Sequence, residues 1–415
     1  MPGTHWLHPH RHGSTALQVG GGAASAIIVE DSNDADLPPE VRSSVEVIMI
    51  LQQLYFDRVS RMDSSKLFQG GLLASSSPSG RVHHKKGITT VNGQLEHVIR
   101  TNPGQWMRLR LINAGWRGSD IHFTVYGCEM YLLAKDGIYI RDYPRSIDKA
   151  TIWTGGRSDI MVRCMEPDTS YEIGNHEITL ATIQTSNNAT FLEDMSIEVS
   201  STHEVAYPPY LEDLVAVSPT PGCSCKTNVG WPMNGYEFQP DSIFHQSVLG
   251  SIVERQLDAG DHPYHQHVYP FQVVQGFHDI DDGDAYNENG DWHDVVEGNS
   301  LVIKYHPREF VSKIMVHCHR LVHEDEGMMA VEQVLPEFME DGITPNTCSC
   351  IAVKSYWYVY ALIVVALIVI ICSIAWCIWR RLQCCSSRGG SCIGCNMLHD
   401  DVTPDDTENP STPTK

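Results

Sequence analysis

The stretch HCHRLVHEDEGMM, residues 317 to 329, decides how the whole chain is read. On a β-strand successive side chains alternate between faces, so Cys318 points one way while His317 and His319 point the other. A single strand can thereby serve two separate ligand sets. His323 and Met328 follow at loop spacing. A thiolate, an imidazole and a soft thioether together suit copper better than zinc, magnesium or calcium. That set still lacks a second imidazole.

The segment DHPYHQHVYPF, residues 261 to 271, supplies it. His265 and His267 share a face, and His262 has the opposite parity. Sorting by face gives His262, Cys318, His323 and Met328 for one copper, and His265, His267, His317 and His319 for a separate imidazole-rich site. These motifs resemble the C-terminal domain of the multicopper oxidases, the laccase and ferroxidase family. The resemblance implies that the first set is a type 1 blue copper with Met328 as axial ligand. It implies a trinuclear cluster for the second, with His265 at the type 2 copper and His267, His317 and His319 at the type 3 coppers. Cys318, His317 and His319 would be the catalytic residues, passing electrons from the blue copper to the cluster, where O2 becomes water. The implied cofactor is copper, about four ions in a complete site and one type 1 copper otherwise. The commoner family form ends H-P-x-H-x-H-G, and this chain places Val268 after the last histidine.

At 415 residues the chain has room for two or three domains with real cores. A formal charge of -22, from 29 basic and 51 acidic residues, argues against nucleic acid as a partner. Of 13 cysteines, Cys128, Cys164, Cys223, Cys225, Cys318, Cys348 and Cys350 precede a long apolar run. Setting Cys318 aside leaves an even number, which suits disulfides in an oxidising compartment. The CSC segments at 223 to 225 and 348 to 350 are candidates for joining, with connectivity open. A sequon at Asn188-Ala189-Thr190 agrees with a secretory route and with glycosylation at Asn188.

Short β-rich runs such as EVIMILQQLYF and QWMRLRLINAG, separated by Gly, Pro and Asn, predict an all-β fold of sandwiches. With the family resemblance these become tandem cupredoxin-like, or plastocyanin-like, Greek-key sandwiches. Residues 46–205 look like the second domain, without metal ligands, and residues 206–340 like the third, with both motifs. Residues 341–354 read as a tether. His83, His84, His97 and His122 match no motif and read as surface or structural, and His278, His293 and His306 also fall outside the motifs. The acidic stretch 278 to 294 is either a solvated loop or a cation-attracting rim.

The opening MPGTHWLHPHRHG has neither the charged nor the apolar region of a signal peptide. It resembles the last strands of a first cupredoxin domain, which would make residues 1–45 a remnant of an N-terminally incomplete chain. His8 and His10 are then type 3 ligands, two apart on one face of a strand. A competing alignment takes His10-Arg11-His12-Gly13 as an earlier H-x-H-G motif.

From Tyr356 to Trp379 the sequence is almost unbrokenly apolar, with Arg380 and Arg381 immediately after. This run exceeds the ~20 residues that cross a bilayer as a helix. A transmembrane helix over 355–379 is expected, with the copper domains extracellular or lumenal and residues 380–415 a disordered cytoplasmic tail. In that tail Cys384 and Cys385 suit palmitoylation, and Cys392 and Cys395 form a C-x-x-C.

Attachment to a membrane and an acidic surface favour a ferrous-iron oxidase serving an iron permease, beside phenolic or other small organic reductants. Asp258, four residues before His262, resembles in placement a substrate-binding carboxylate of yeast-type iron oxidases, and Asp261 and Glu324 also lie near the motifs, any of the three being open to reading as ordinary surface. A different class is a truncated, oxygen-inactive, membrane-tethered blue-copper electron carrier or copper-binding protein. Such a carrier needs only the type 1 ligands, and the extra histidines weigh against it.

Overall fold

The strand Met107–Asn113, MRLRLIN, is buried along its full length, arginines included. Burial of Arg108 and Arg110 is tolerated because both face Asp159 on the neighbouring strand, at 2.5 and 3.1 Å. An unpaired buried guanidinium would be far more costly. The computed structural model in which this is seen describes residues 3–30, 39–54, 88–118, 120–142, 144–175, 178–187, 211–277, 285–353 and 357–386. Asn188, His83, His84, His278, Cys392 and Cys395 lie outside the described residues. The chain divides into two units, Met1–Lys354 and Ser355–Lys415.

The first unit is built from β-sheets that pair into two sandwiches. In the first sandwich a sheet centred on Val45–Leu54, Met107–Asn113 and Arg157–Cys164 faces a sheet of His97–Thr101, Ile121–Val125, Ala150–Ile152, Ser170–Asn175 and Ile178–Thr185. Alternation drives the packing: Met49, Leu51 and Gln53 are buried while Ile50 and Gln52 are only partly so. These side chains meet Phe123, Ile173 and Ile183 from the opposite sheet in one core. Each fully buried apolar side chain there contributes roughly 1.5–3 kcal/mol. Cys128 and Cys164, register partners on adjacent strands, are joined by a disulfide.

The second sandwich repeats the plan. One sheet holds Ser224–Asn228, Val253–Asp258, Leu301–Tyr305, Phe271–Gln275 and Trp292–His293. The other runs Val295–Gly298, Gly260–Gln266, Lys313–Cys318, Met329–Leu335, Ile243–Val248 and Ser349–Cys350. Parallel pairs amid antiparallel neighbours recur in both sandwiches: Val45–Leu54 with Met107–Asn113, and Ile243–Val248 with Met329–Leu335. Hairpins alone give only antiparallel neighbours, so these pairs require crossover connections. Two disulfides, Cys223–Cys348 and Cys225–Cys350, join the CSC segments, and Ser349–Cys350 adds a strand to the second sheet. The stretch expected as a plain tether is thus stitched into the sandwich.

A two-stranded antiparallel sheet, Gly3–Leu7 with Ser25–Val29, lies against the first sandwich. The Thr4 hydroxyl donates to Asp159 at 2.5 Å, so the same carboxylate that holds the two arginines also holds this strand.

The second unit contains the helix Trp357–Ser386, which overlaps the expected 355–379 span from residue 357 onward and extends past it. Its described side chains, residues 364 to 379, are all exposed. Among the described residues, no helix is long and apolar enough to cross a membrane.

Candidate metal centre

The strands Gly260–Gln266 and Lys313–Cys318 are antiparallel neighbours with Tyr264 opposite Cys318 and His265 opposite His317. This register sets the two histidine-rich motifs side by side. A register shift between Gly260 and Tyr264 on the flank shared with Val295–Gly298 accompanies the change of face between His262 and His265. His323 comes from the short helix Leu321–Asp325 just after the Cys318 strand.

Cys318, His262 and His323 converge as the alternation predicts. The Cys318 Sγ lies 3.6 Å from His262 Nδ1 and 3.7 Å from His323 Nδ1, and the two nitrogens are 3.2 Å apart. Burial holds both imidazoles below their ordinary pKa, His323 at about 4, so each offers a neutral lone pair. Cys318 is fully buried, and desolvation pushes its thiol well above the usual range. Met328 is buried in the same core, and its carbonyl accepts the Cys318 N–H at 3.0 Å.

The remaining histidines form a second cluster. The Nε2 atoms of His10, His267 and His317 lie 3.1 to 3.3 Å from one another. The His8, His265 and His319 rings adjoin it: His8 and His265 lie 5.3 and 5.2 Å from His319, centroid to centroid. In several rings the outer nitrogen is engaged, which directs Nε2 inward. His265 Nδ1 donates to the Asp294 carbonyl at 2.8 Å, His8 Nδ1 to that of Pro9 at 3.0 Å, and His317 Nδ1 to that of Cys318 at 3.1 Å. Burial and mutual repulsion hold His265, His317 and His319 well below an ordinary histidine pKa, and His8 and His267 at about 4. A thiolate with two imidazoles beside a set of neutral imidazoles is a donor chemistry that fits copper.

His8 and His10 follow the strand Gly3–Leu7 rather than lying on it, because Pro9 between them has no N–H to give a ladder. The segment is held from outside instead. The Asp325 carboxylate accepts the N–H groups of Gly13, Thr15 and Ala16 at 2.8, 3.0 and 2.8 Å. His12, of the competing alignment, is exposed and packs edge-on against Phe238.

The first sandwich closes over the cluster. At Gly155, whose φ is +86°, a Cβ would fall 2.4 Å from the His319 ring, so only glycine permits this approach. Arg157 holds Asp294, the residue whose carbonyl orients His265, through bonds of 2.7 and 2.6 Å.

Several acids here were given no assigned role by the sequence. Glu324 is wholly buried, 3.4 Å from His10 Nδ1 and 3.3 Å from His317 Nδ1, and burial pushes its carboxyl up to about 8. It directly follows His323, and that adjacency was the available signal. Beside His262 stands an acidic rim. Asp261 is largely exposed and pairs with Arg320 at 3.1 Å, and Arg320 lies against Gly118, two residues before Asp120. Glu297 comes from the strand paired to Gly260–Gln266. It is 9 % exposed, its Oε1 has no hydrogen-bond partner, and burial with the nearby Asp120 pushes its carboxyl up to about 9. Asp258, by contrast, accepts the Ser300 N–H at 3.0 Å and faces Lys226 at 3.5 Å. On the other side, Trp231 is 54 % exposed and stands edge-on to His323, 5.2 Å between centroids.

The sequence matches family models described as "Multicopper oxidase" over residues 48–196 and 211–337, together more than half of the chain. It is 23% identical over 351 residues to a multicopper oxidase of Staphylococcus aureus, covering 79% of this chain and 67% of that protein. An iron transport multicopper oxidase of Gibberella zeae is 28% identical over 143 residues, 34% of this chain and 20% of the relative. Among solved structures, a laccase from Pediococcus acidilactici superposes with a TM-score of 0.62 at 21% identity, covering 81% of this chain and 70% of the other. With both ligand-rich motifs and both sandwiches accounted for, the chain belongs to the multicopper oxidase family, copper-dependent oxidoreductases that use O2.

Proposed function

We propose that the chain is a membrane-anchored oxidase that takes electrons from ferrous iron at the Cys318 site and uses them to reduce O2 to water at the histidine cluster. The observation that carries the reading is covalent. Cys318, which meets His262 and His323, is peptide-bonded to His317 and His319 of the other cluster. Bound copper supplies the one-electron redox steps and the reduction of O2. The chain's own residues do the rest. His262, Cys318, His323 and Met328 would hold the type 1 ion, His265 the type 2 ion, and His8, His10, His267, His317 and His319 the type 3 ions. Burial excludes water from Cys318, His317 and His319, each 1 % exposed or less. Glu324, held near neutral pH by its pKa of about 8, is placed to keep a proton beside His10 and His317.

Iron is favoured over an organic reductant by the acidic rim. Asp261 lies 3.7 Å from His262, Asp120 and Glu297 interact with Asp261 and with Arg320, and carboxylates suit ferrous iron. A relative bears the name iron transport multicopper oxidase. This moves the substrate-binding role from Asp258, whose carboxylate is engaged with Ser300 and Lys226, to Asp261 and Glu297. The exposed Trp231 over His323 supports a second reading, in which a flat aromatic reductant stacks there. Anchoring rests on the apolar sequence run 356–379 alone, and an iron permease in the same membrane is a fitting partner.

The test is copper content with O2 uptake on the purified full chain in detergent, using ferrous iron and a phenol as reductants. About four coppers, O2 uptake and an iron preference lost in Asp261→Asn support the proposal. A single blue copper with no O2 uptake overturns it in favour of an electron carrier, and a phenol preference lost in Trp231→Ala moves the substrate to the aromatic side.

A further inference from the structure

A third group of donors lies away from both copper sets. Cys225, His245 and Cys350 present Sγ, a ring nitrogen and Sγ that all fall within 4.8 Å of one another. The fold explains their meeting. His245 and Cys350 are register partners on the antiparallel strands Ile243–Val248 and Ser349–Cys350. Cys225 sits on Ser224–Asn228, at the edge of the facing sheet, and is joined to Cys350 by a disulfide. Two residues earlier in each segment, just before the strands begin, Cys223–Cys348 makes a second bridge.

The two bridges differ in access. Cys350 is exposed, whereas Cys225 and Cys223 are buried and Cys348 is half-buried. A thiol from solvent reaches the Cys350 sulfur first. If that bond opens, Cys223–Cys348 still holds the strands together, so the two freed sulfurs stay beside His245. The His245 ring is 3 % exposed and its burial lowers its pKa to about 4, leaving it neutral. Nδ1 accepts the Ile351 N–H at 3.1 Å, and Nε2 meets the Thr227 hydroxyl at 3.3 Å. Ile351 directly follows Cys350, so freeing Cys350 also loosens the amide that occupies Nδ1. The nearest acid that acts on the ring, Glu332, is committed to Arg255.

We infer that Cys225, Cys350 and His245 form a latent copper(I) site, opened when a small-molecule dithiol reduces the Cys225–Cys350 bond. The dithiol delivers two electrons and two protons to the S–S bond and closes into its own cyclic disulfide. Each freed cysteine then loses its proton to solvent as its sulfur binds the metal. Metal–donor bonds of about 2.0–2.3 Å leave donors no more than about 4.6 Å apart, close to the spread found here. Two thiolates and one imidazole suit soft, low-coordinate copper(I), whereas structural zinc takes four ligands.

The experiment uses the full-length, copper-loaded chain. Its bound copper is first reduced anaerobically with ascorbate; it is then treated with a limiting dithiol, freed of reductant, and titrated with copper(I) buffered by a chromogenic chelator. Alkylation and peptide mapping then show which bridge opened. The expected result is alkylation at Cys225 and Cys350 with Cys223–Cys348 intact, and about one more copper(I) bound than by the same chain before treatment. The gain disappears in Cys225→Ser/Cys350→Ser. In His245→Gln, which retains both disulfides, affinity for the added copper(I) falls roughly tenfold or more. Thiols of the C-terminal tail are retained in Cys225→Ser/Cys350→Ser, so that variant separates their contribution. Opening of Cys223–Cys348 first, no gain, or a gain unchanged in His245→Gln overturns the proposal.

Discussion

The Asp325 carboxylate receives the Ala16 N–H at 2.8 Å, which fastens the segment that follows His10 to the short helix that carries His323. Two stretches more than 300 residues apart in sequence are thereby registered beside one histidine cluster.

Asp325→Ala removes the acceptor for three backbone donors. A hydrogen bond to a charged group contributes about 1.5–3 kcal/mol. His10 is then free to leave His267 and His317. O2 uptake is expected to fall about tenfold or more, since about 1.4 kcal/mol is a factor of ten. The blue absorption of the Cys318 site should persist, as none of its ligands touches Asp325. Equal loss of both signals would contradict this division of labour.

Met328 is buried beside the Cys318 core, and its replacement by leucine conserves volume. Removing a weak axial donor raises the potential of a blue site. Redox titration of Met328→Leu should show an upward shift with the blue absorption retained. A downward shift, or a lost blue band, would rule out the axial role.

Glu297 gives a pH signature. Its carboxyl titrates at about 9 in the folded chain, above its ordinary value of 4.5. A raised folded pKa contributes stability that is complete below about 4.5 and is lost as pH rises towards about 9. In Glu297→Gln that part of the slope should vanish from thermal melts taken across this window. Ferrous iron bound at the rim near pH 7 should displace about one proton from the wild-type chain and none from the variant. Calorimetry in buffers of different ionisation enthalpy measures the difference.

Arg255 and Glu332 form a fully buried ion pair, with Tyr264 and Tyr305 around the guanidinium. Arg255→Met leaves Glu332 buried and unpaired, at an expected loss of about 3–5 kcal/mol. The double variant Arg255→Met/Glu332→Leu should recover most of it. Chemical denaturation of the three proteins settles the comparison.

The side chains that meet in the two donor clusters were legible because they come in short runs near strands, where a period of two sorts them without knowledge of the fold. Cys318 against His317 and His319 needed only that rule. His8 and His10 were legible by spacing, though Pro9 ends their strand early. The acidic rim was legible only at Asp261, which adjoins His262 in sequence. Asp120, Asp261 and Glu297 lie in three segments that meet only through sheet pairing and the Arg320–Gly118 contact. An offset from His262 led to Asp258, but that carboxylate faces Ser300 and Lys226. His245 stands alone in sequence, and only strand pairing with Cys350 gives it partners.

The bare α-carbon of Gly155 against the His319 ring gives the first sandwich a part in shaping the histidine cluster. Its turn is the mould against which an imidazole of the neighbouring domain is cast. The Cys318, His262 and His323 set belongs to one domain, while the histidine cluster is the joint property of a seam. Drift in the apparently idle sandwich would therefore dim oxygen chemistry and leave the colour of the protein unchanged.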